Sequence, residues 1–299
     1  DSVIMDVGEL SKRARRVIFP SSRFAAGVFA GAYRSVFRGP GLEFEEVRHY
    51  LQGDDIRTVD WNVSARMGSL FTKRFQEERE LPVFILFDIS ASMDYSSAGM
   101  TKRECAAFSA ALFAYAAVHS NDKAGAVLFS DSIDKWIKPA RGTRHAARMV
   151  SDFLTCRGQG GGSNLNEAMK TVYTSAVKRG ICILVSDFKT EIDTQLVGAL
   201  SKKHDLLFVQ VLDPAEREFP KVGYIEMVDA ESGRSYGLKS LGNTAGAEIA
   251  GGLASASEDV KRLGRRTGTR RRIEAVELST DSDPYAELLR FFKRKVRHS

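Results

Sequence analysis

Cysteine is scarce in this sequence, and what there is does not form a framework. Cys105, Cys156 and Cys182 are odd in number, far apart and without a C-x-x-C pair. That excludes a disulfide scaffold, argues against a zinc knuckle and fits a reducing compartment. Long apolar runs are also missing. The longest uncharged stretch, Cys105 to Asn121, includes Ser109, Tyr115 and His119. It falls short of the roughly 18 apolar residues needed to cross a bilayer and reads as a buried helix. No H-E-x-x-H and no G-x-x-x-x-G-K-[ST] occurs, so a zincin-type protease and an ATP-cradling loop are both excluded. The chain is also expected to hold no G-x-S-x-G nucleophile elbow. The five histidines are scattered. The first residue is Asp1 and no signal peptide is visible. Cytoplasmic placement is therefore the expectation, with a membrane anchor outside these residues left open.

What is present is ordinary for a globular chain: 299 residues, 43% hydrophobic and 27% charged. That is enough to bury a sizeable core, and it excludes a disordered or fibrous protein. The net charge of +6 is uneven. Lys261 to Ser299 holds twelve Lys/Arg against five Asp/Glu, while the rest of the chain carries a net charge of −1. The run is densest at Lys261, Arg262, Arg265, Arg266, Arg270, Arg271 and Arg272. Such a run could meet nucleic acid, anionic lipid or an acidic protein, but a solvated helix face plus a turn explains it more simply. No aromatic residue interleaves with it, which weakens a single-strand stacking role.

Patterning predicts the fold. Leu81–Asp88 (LPVFILFD), Ile181–Asp187 (ICILVSD) and Leu206–Asp213 (LLFVQVLD) are short apolar runs that each end in an acid, as strands buried on both faces do. Lys123–Ser130 and Ser132–Lys138 read as a hairpin turning at Asp131. Helices are predicted over Thr101–Ser120 and Thr143–Leu154. Another is expected where Leu165, Ala168, Met169, Val172 and Ala176 recur at helical spacing, with Ser163 just ahead of it in N-cap position. A helix from about Asp193, another over Thr244–Leu263, a strand over Arg271–Leu278 and a final amphipathic helix over Pro284–Val296 complete the pattern. The alternation predicts an α/β fold with a doubly wound, mainly parallel, Rossmann-type sheet. Such sheets bind ligands beyond the carboxyl ends of their strands, where Asp88 and Asp187 lie.

Three segments carry chemistry. Asp88-Ile89-Ser90-Ala91-Ser92 follows the first strand and offers one carboxylate and two hydroxyls on alternate residues. Hard cations favour such oxygens, although a capped turn accounts for this pentapeptide taken alone. Gly161-Gly162-Ser163-Asn164-Leu165 presents a hydroxyl at a helix start, and Ser186-Asp187-Phe188 places an acid at another strand end. Together the three segments resemble the metal-ion-dependent adhesion site of von Willebrand factor A-type domains, with Ser163 standing where that family usually has threonine. The resemblance implies that Ser90, Ser92 and Ser163 would ligate a divalent cation, Mg²⁺ first, with Mn²⁺ or Ca²⁺ as options. Asp88 and Asp187 would hold ligating waters and orient the serines, and a partner's carboxylate would complete the shell.

The upstream segment is charged and rich in turns. It runs Gly31-x-x-Arg34-Ser35-x-x-Arg38-Gly39, then Gly41-x-Glu43-Phe44-x-x-x-Arg48-x-Tyr50. Gly53-Asp54-Asp55-x-Arg57-x-x-Asp60-Trp61-x-x-Ser64-Ala65-Arg66 follows. This resembles the domain of unknown function 58 family, over about Leu10 to Lys295, including Asp213-Pro214 and Pro284-Tyr285. That resemblance implies an N-terminal segment, 1–79, packed on a von Willebrand factor A-like domain, 80–299. It also implies a role as adaptor or co-chaperone of a MoxR-type AAA+ ATPase, the partner or its client being met through an acidic residue. The upstream charges read as internal ion pairs holding the segment on the main domain or as a partner surface, and Trp61 as an interdomain core anchor.

Two rival functions follow from the same residues. Asp88 could accept a phosphoryl group beside Mg²⁺, but haloacid-dehalogenase-type phosphatases place a second Asp where Ser90 stands, so no general acid is supplied. Residues 261–272 could bind nucleic acid, which predicts steep weakening with salt and indifference to divalent metal. The expectation is a metal-dependent protein-interaction module and not an enzyme.

Overall fold

The computed structural model describes residues 17–18, 20–37, 44–75, 81–97, 99–158, 162–176, 178–217, 224–228, 235–239 and 273–298. A π-helical turn, Ala25–Phe29, leads into α1 (Ala30–Phe37). Strands β1 (Phe44–His49) and β2 (Phe71–Phe75) pair antiparallel around helix α2 (Trp61–Met67). The Gly-Asp-Asp motif between them is a folding device. Gly53 adopts φ +110°, a region open to glycine. Asp54 accepts a 2.7 Å hydrogen bond from Arg48 Nη2 and one of 2.9 Å from the Leu51 amide. Asp55 caps a 3₁₀ turn, and Asp60 caps α2 through the Asn62 and Val63 amides. The Arg48–Asp54 ion pair lies within the upstream segment, joining β1 to the turn that follows it, and does not itself hold the segment on the main domain. Trp61 departs from expectation: it is 63% exposed and anchors nothing among the described residues. As the first residue of a helix capped by Asp60, it is carried on the outer face of this small module.

The main sheet contains β3 (Val83–Asp88), β4 (Ala124–Phe129), β5 (Ile133–Ala140), β6 (Ile181–Ser186), β7 (Asp205–Leu212) and β10 (Ile273–Ser279). Between the last two lies a separate antiparallel pair, β8 (Tyr224–Val228) and β9 (Ser235–Lys239). The sheet order is β10-β7-β6-β3-β4-β5, all parallel except the β4–β5 hairpin. Every residue of β3, β4, β6 and β7 is buried, because helices cover both faces. Gly125 lets β5 approach, since a Cβ there would stand 2.7 Å from the Ile137 carbonyl and the Pro139 nitrogen.

One face holds α3 (Lys102–His119), α4 (Thr143–Thr155) and α8 (Pro284–His298), packed with the π turn and α1. Phe29 meets Phe113 and Phe292 edge-on at ring-centroid separations of 5.6 and 5.3 Å, so the N-terminal helical stretch shares the main core. The other face holds α5 (Leu165–Ser175) and α6 (Thr194–Lys203). A short helical turn, α7 (Pro214–Arg217), follows β7 directly. The chain runs from β3 outward to β4 and β5, then returns to place β6 on the other side of β3. That reversal is the topological switch point where doubly wound sheets open a ligand crevice.

The predicted elements that fall among the described residues stand within a few residues of their expected ends. Helix α5 is capped by the Asn164 side chain, on the Glu167 amide at 3.1 Å, and not by Ser163. The helix expected over Thr244–Leu263, the basic run 261–272 and Gly161 lie outside the described residues. Among the described residues, no helix is long and apolar enough to cross a membrane.

Candidate functional site

The carboxyl ends of β3 and β6 deliver Asp88 and Ser186-Asp187 side by side at the switch point. Asp88 is fully buried. Its Oδ2 accepts the Ser163 hydroxyl at 2.8 Å and the Ser186 hydroxyl at 2.6 Å, and its Oδ1 accepts the Ser90 amide at 2.8 Å. The Ser90 and Ser92 hydroxyl oxygens lie 3.2 Å apart, and Ser92 is among the groups that lower the Asp187 carboxyl. The five residues selected from sequence are thus brought together from three separate loops.

Arg103 holds the first loop in shape. Its guanidinium is buried and donates to Asp94 Oδ1 at 2.6 Å, to the Ile89 carbonyl at 3.0 Å and to the Cys156 carbonyl at 2.9 Å. This ties the turn Ala91–Asp94 to α3 and to the end of α4. The third loop is shaped by Phe188, a non-glycine residue at φ +56°. Its side chain is buried against Phe208 and its amide donates to Ser186 Oγ at 2.9 Å. A left-handed aromatic residue is a strained conformation kept by its surroundings.

Sequence reasoning passed over Lys102. This lysine opens α3 and is fully buried. Its ammonium donates to Asp187 Oδ2 and to Glu216 Oε1, each at 2.7 Å. Lys189 donates to the same Glu216 oxygen at 2.7 Å and lies 3.8 Å from Asp187 Oδ2. Glu216, on α7, also accepts the Asp213 amide at 3.2 Å. Asp213 in turn accepts from the Ser97 amide and hydroxyl and, at 2.7 Å, from Thr280 Oγ1. The available signal was local: Lys102 and Arg103 are adjacent cations, followed by a single acid, Glu104, at the start of a helix that is uncharged from Cys105 to Val118. Cations there oppose the helix dipole unless carboxylates face them.

The two aspartates are polarised in opposite directions. Burial, and then the charge of Asp187, holds the Asp88 carboxyl above the usual carboxylate range, although Ser186 and Ser90 hydrogen bonds pull it down. Burial also opposes ionisation of Asp187, but the charges of Lys102 and Lys189, with hydrogen bonds from Lys102 and Ser92, bring it below that range. Lys102 is held above its ordinary value because Asp187 and Glu216 outweigh the effect of burial.

Every converging donor is an oxygen: two carboxylates and three serine hydroxyls. No group of three or more His, Cys, Asp or Glu suited to a metal occurs among the described residues. A cation accepted here would be a hard one, held by neutral hydroxyls beside anionic carboxylates. The letters Gly-x-Ser-x-Gly do occur, at Gly233 to Gly237, against the expectation that the chain has no such stretch. However, Ser235 opens strand β9 and does not sit on a strand-to-helix turn, so no nucleophile elbow is formed.

A family model described as "Protein of unknown function DUF58" matches residues 46–258. The chain belongs to this family. The DUF58 chain is 29% identical over 276 residues to uncharacterized protein Rv1480 of Mycobacterium tuberculosis and to uncharacterized protein Mb1516 of Mycobacterium bovis. Each alignment covers 91% of this chain and 85% of the relative. Among solved structures, it is similar to an aerotolerance-related membrane protein from Bacteroides fragilis, at TM-score 0.45 and 12% identity, over 73% of this chain and 100% of that one. It is also similar to the SpRpn10 VWA domain, at TM-score 0.39 and 8% identity, over 71% and 94% of the two chains. The von Willebrand factor type A protein from Catenulispora acidiphila matches at TM-score 0.36 and 14% identity, over 76% and 43%.

Proposed function

We propose that this DUF58 protein is a metal-dependent protein-interaction module serving as adaptor or co-chaperone for a MoxR-type AAA+ ATPase in the cytoplasm. The observation that carries the reading is the meeting of Asp88, Ser90, Ser92, Ser163 and Asp187 at the switch point of the sheet. Ser90, Ser92 and Ser163 would be the ligands of a divalent cation, Mg²⁺ by preference, while Asp88 and Asp187 orient those hydroxyls and hold water. A bound cation there would supply an electrophilic position for one carboxylate oxygen of a partner. The protein's own groups do the positioning: Arg103 fixes the Ser90–Ser92 turn, and Ser186 fixes Asp88. Free Cys105, Cys156 and Cys182 support a reducing compartment. Phosphoryl transfer is the weaker reading, because both oxygens of Asp88 are engaged and its side chain is fully buried.

The test is capture of partners from native lysate with Mg²⁺ and with EDTA, using the wild type and the Ser90→Ala/Ser92→Ala double variant. Retention of an AAA+ ATPase only by the wild type and only with Mg²⁺ supports the reading. The same partners under all conditions would overturn it.

A further inference from the structure

Lys102 occupies an improbable place. Lysine is almost never fully buried unless paired, and this one also sits where the dipole of α3 disfavours a cation. Two carboxylates at 2.7 Å keep it there. For stability alone, such an arrangement could be exchanged for apolar side chains of similar volume. What the ammonium contributes that an apolar group cannot is charge beside Asp187. The carboxylates of Asp187 and Glu216 share the ammonium groups of Lys102 and Lys189, while Asp88, whose carboxylate meets only serine groups, adds its negative charge beside Asp187. Lys102 takes up Asp187 Oδ2, and Oδ1 accepts the Lys189 amide at 3.3 Å.

Resting on the metal-site reading above, we infer that Lys102 is a built-in counter-ion that sets the site's affinity for a divalent cation. It weakens cation binding, so that a partner's carboxylate is needed to hold the ion firmly. Lys102 is a positioning residue and touches no partner. Its effect is electrostatic and follows the net charge of the cluster, whichever residue is changed. Lys102→Met makes the cluster more negative by one charge, Glu216→Gln makes it less negative by one, and Lys102→Met/Glu216→Gln restores the wild-type balance.

Direct Mn²⁺ titration by calorimetry and electron paramagnetic resonance, without a partner, reads the affinity of each variant. Lys102→Met should bind Mn²⁺ at least about tenfold more tightly than the wild type, given the strength of charge interactions at short range in a partly desolvated site. The Lys102→Met/Glu216→Gln variant should return to near the wild-type value, and the Mn²⁺-dependent rise in Tm should follow the same order. If Lys102→Met fails to fold, the pair Glu216→Gln and Lys102→Met/Glu216→Gln makes the same comparison, with the double variant about tenfold tighter. Equal or weaker binding by the variant lacking Lys102, in either pair, overturns the inference. Ser90→Ala/Ser92→Ala separates the two ideas. Loss of Mn²⁺ binding in that variant, with no effect of Lys102, leaves the metal site standing and removes the counter-ion role. Retained Mn²⁺ binding places the ion elsewhere and overturns the site reading itself. No Mn²⁺ binding by any variant overturns both.

Discussion

The hydroxyl of Ser163 donates a 2.8 Å hydrogen bond to Asp88 Oδ2 across 75 residues of sequence. It joins the loop before α5 to the end of β3 and supplies one of three donors to a fully buried carboxylate. Removing one partner of a buried charged acceptor costs more than the bond contributes, because the acceptor is left short. Ser163→Ala should therefore lower stability by about 1–2 kcal/mol in urea unfolding without divalent metal. Ser163→Thr keeps the hydroxyl and should stay close to wild type. Equal loss in both variants would mean that the hydroxyl is not what matters.

Arg103 ties together the turn after β3 and the end of α4 through bonds to Asp94, Ile89 and Cys156. Asp94 is 44% exposed, so solvent screens part of that ion pair. The bond to the Ile89 carbonyl is buried, that to the Cys156 carbonyl is partly so, and both are lost outright in Arg103→Met. An expected loss of about 2–3 kcal/mol follows, measured as a shift in the urea midpoint. Amide exchange should accelerate first around Ile89–Asp94. Uniform acceleration across β3 and β6 would count against a local role.

The thiols should differ sharply in reactivity. Burial pushes the Cys105 thiol up to about 12 and raises that of Cys182 further. Cys156 is only partly buried, though its thiol is also raised. Since the thiolate is the reactive form, a disulfide reagent at pH 8 should modify Cys156 first in the native protein. All three should react in denaturant. Native labelling of Cys182 ahead of Cys156 would contradict the packing of β6.

The Arg48–Asp54 pair makes a pH-dependent contribution with a definite sign. The hydrogen bond from Arg48 comes first among the causes that hold the Asp54 carboxyl below its ordinary 3.8. A depressed folded-state value means that the pair stabilises the β1–β2 module above pH 3.8. That contribution is lost as pH falls through the folded value. Carbon-detected NMR titration should place Asp54 below 3.8 in the wild type and closer to 3.8 in Arg48→Met. An unchanged titration in Arg48→Met would remove the pair from the account.

How far the molecule can be read from its residues depends on how local each feature is. Leu81–Asp88 and Ile181–Asp187 announce buried strands ending in an acid, because burial on both faces demands a continuous apolar run. The structure has β3 and β6 there, with Asp88 at the end of one and Asp187 just beyond the other. The hairpin at Asp131 and the buried helix following Thr101 are legible for similar reasons, one from turn spacing and the other from its long uncharged run, to which the structure adds a Thr101–Glu104 capping box. Trp61 was misjudged because a large aromatic side chain is usually buried, whereas the turn of α2 fixed by Asp60 leaves it 63% exposed. Ser163 looks like an N-cap in sequence, but Asn164 caps the helix and frees the serine for Asp88.

The amino-acid sequence by itself determined the elements, their α/β alternation and the placement of Asp88 and Asp187 near strand ends, since side-chain periodicity and apolar runs are properties of neighbouring residues. Only the tertiary structure decided that β6 lies beside β3, and with it every contact across the switch point. Lys102 meets Asp187 across 85 residues and Glu216 across 114. Such pairings are chosen by strand order and helix docking, and an ammonium group becomes part of a site only when that docking removes it from water and sets it against a carboxylate.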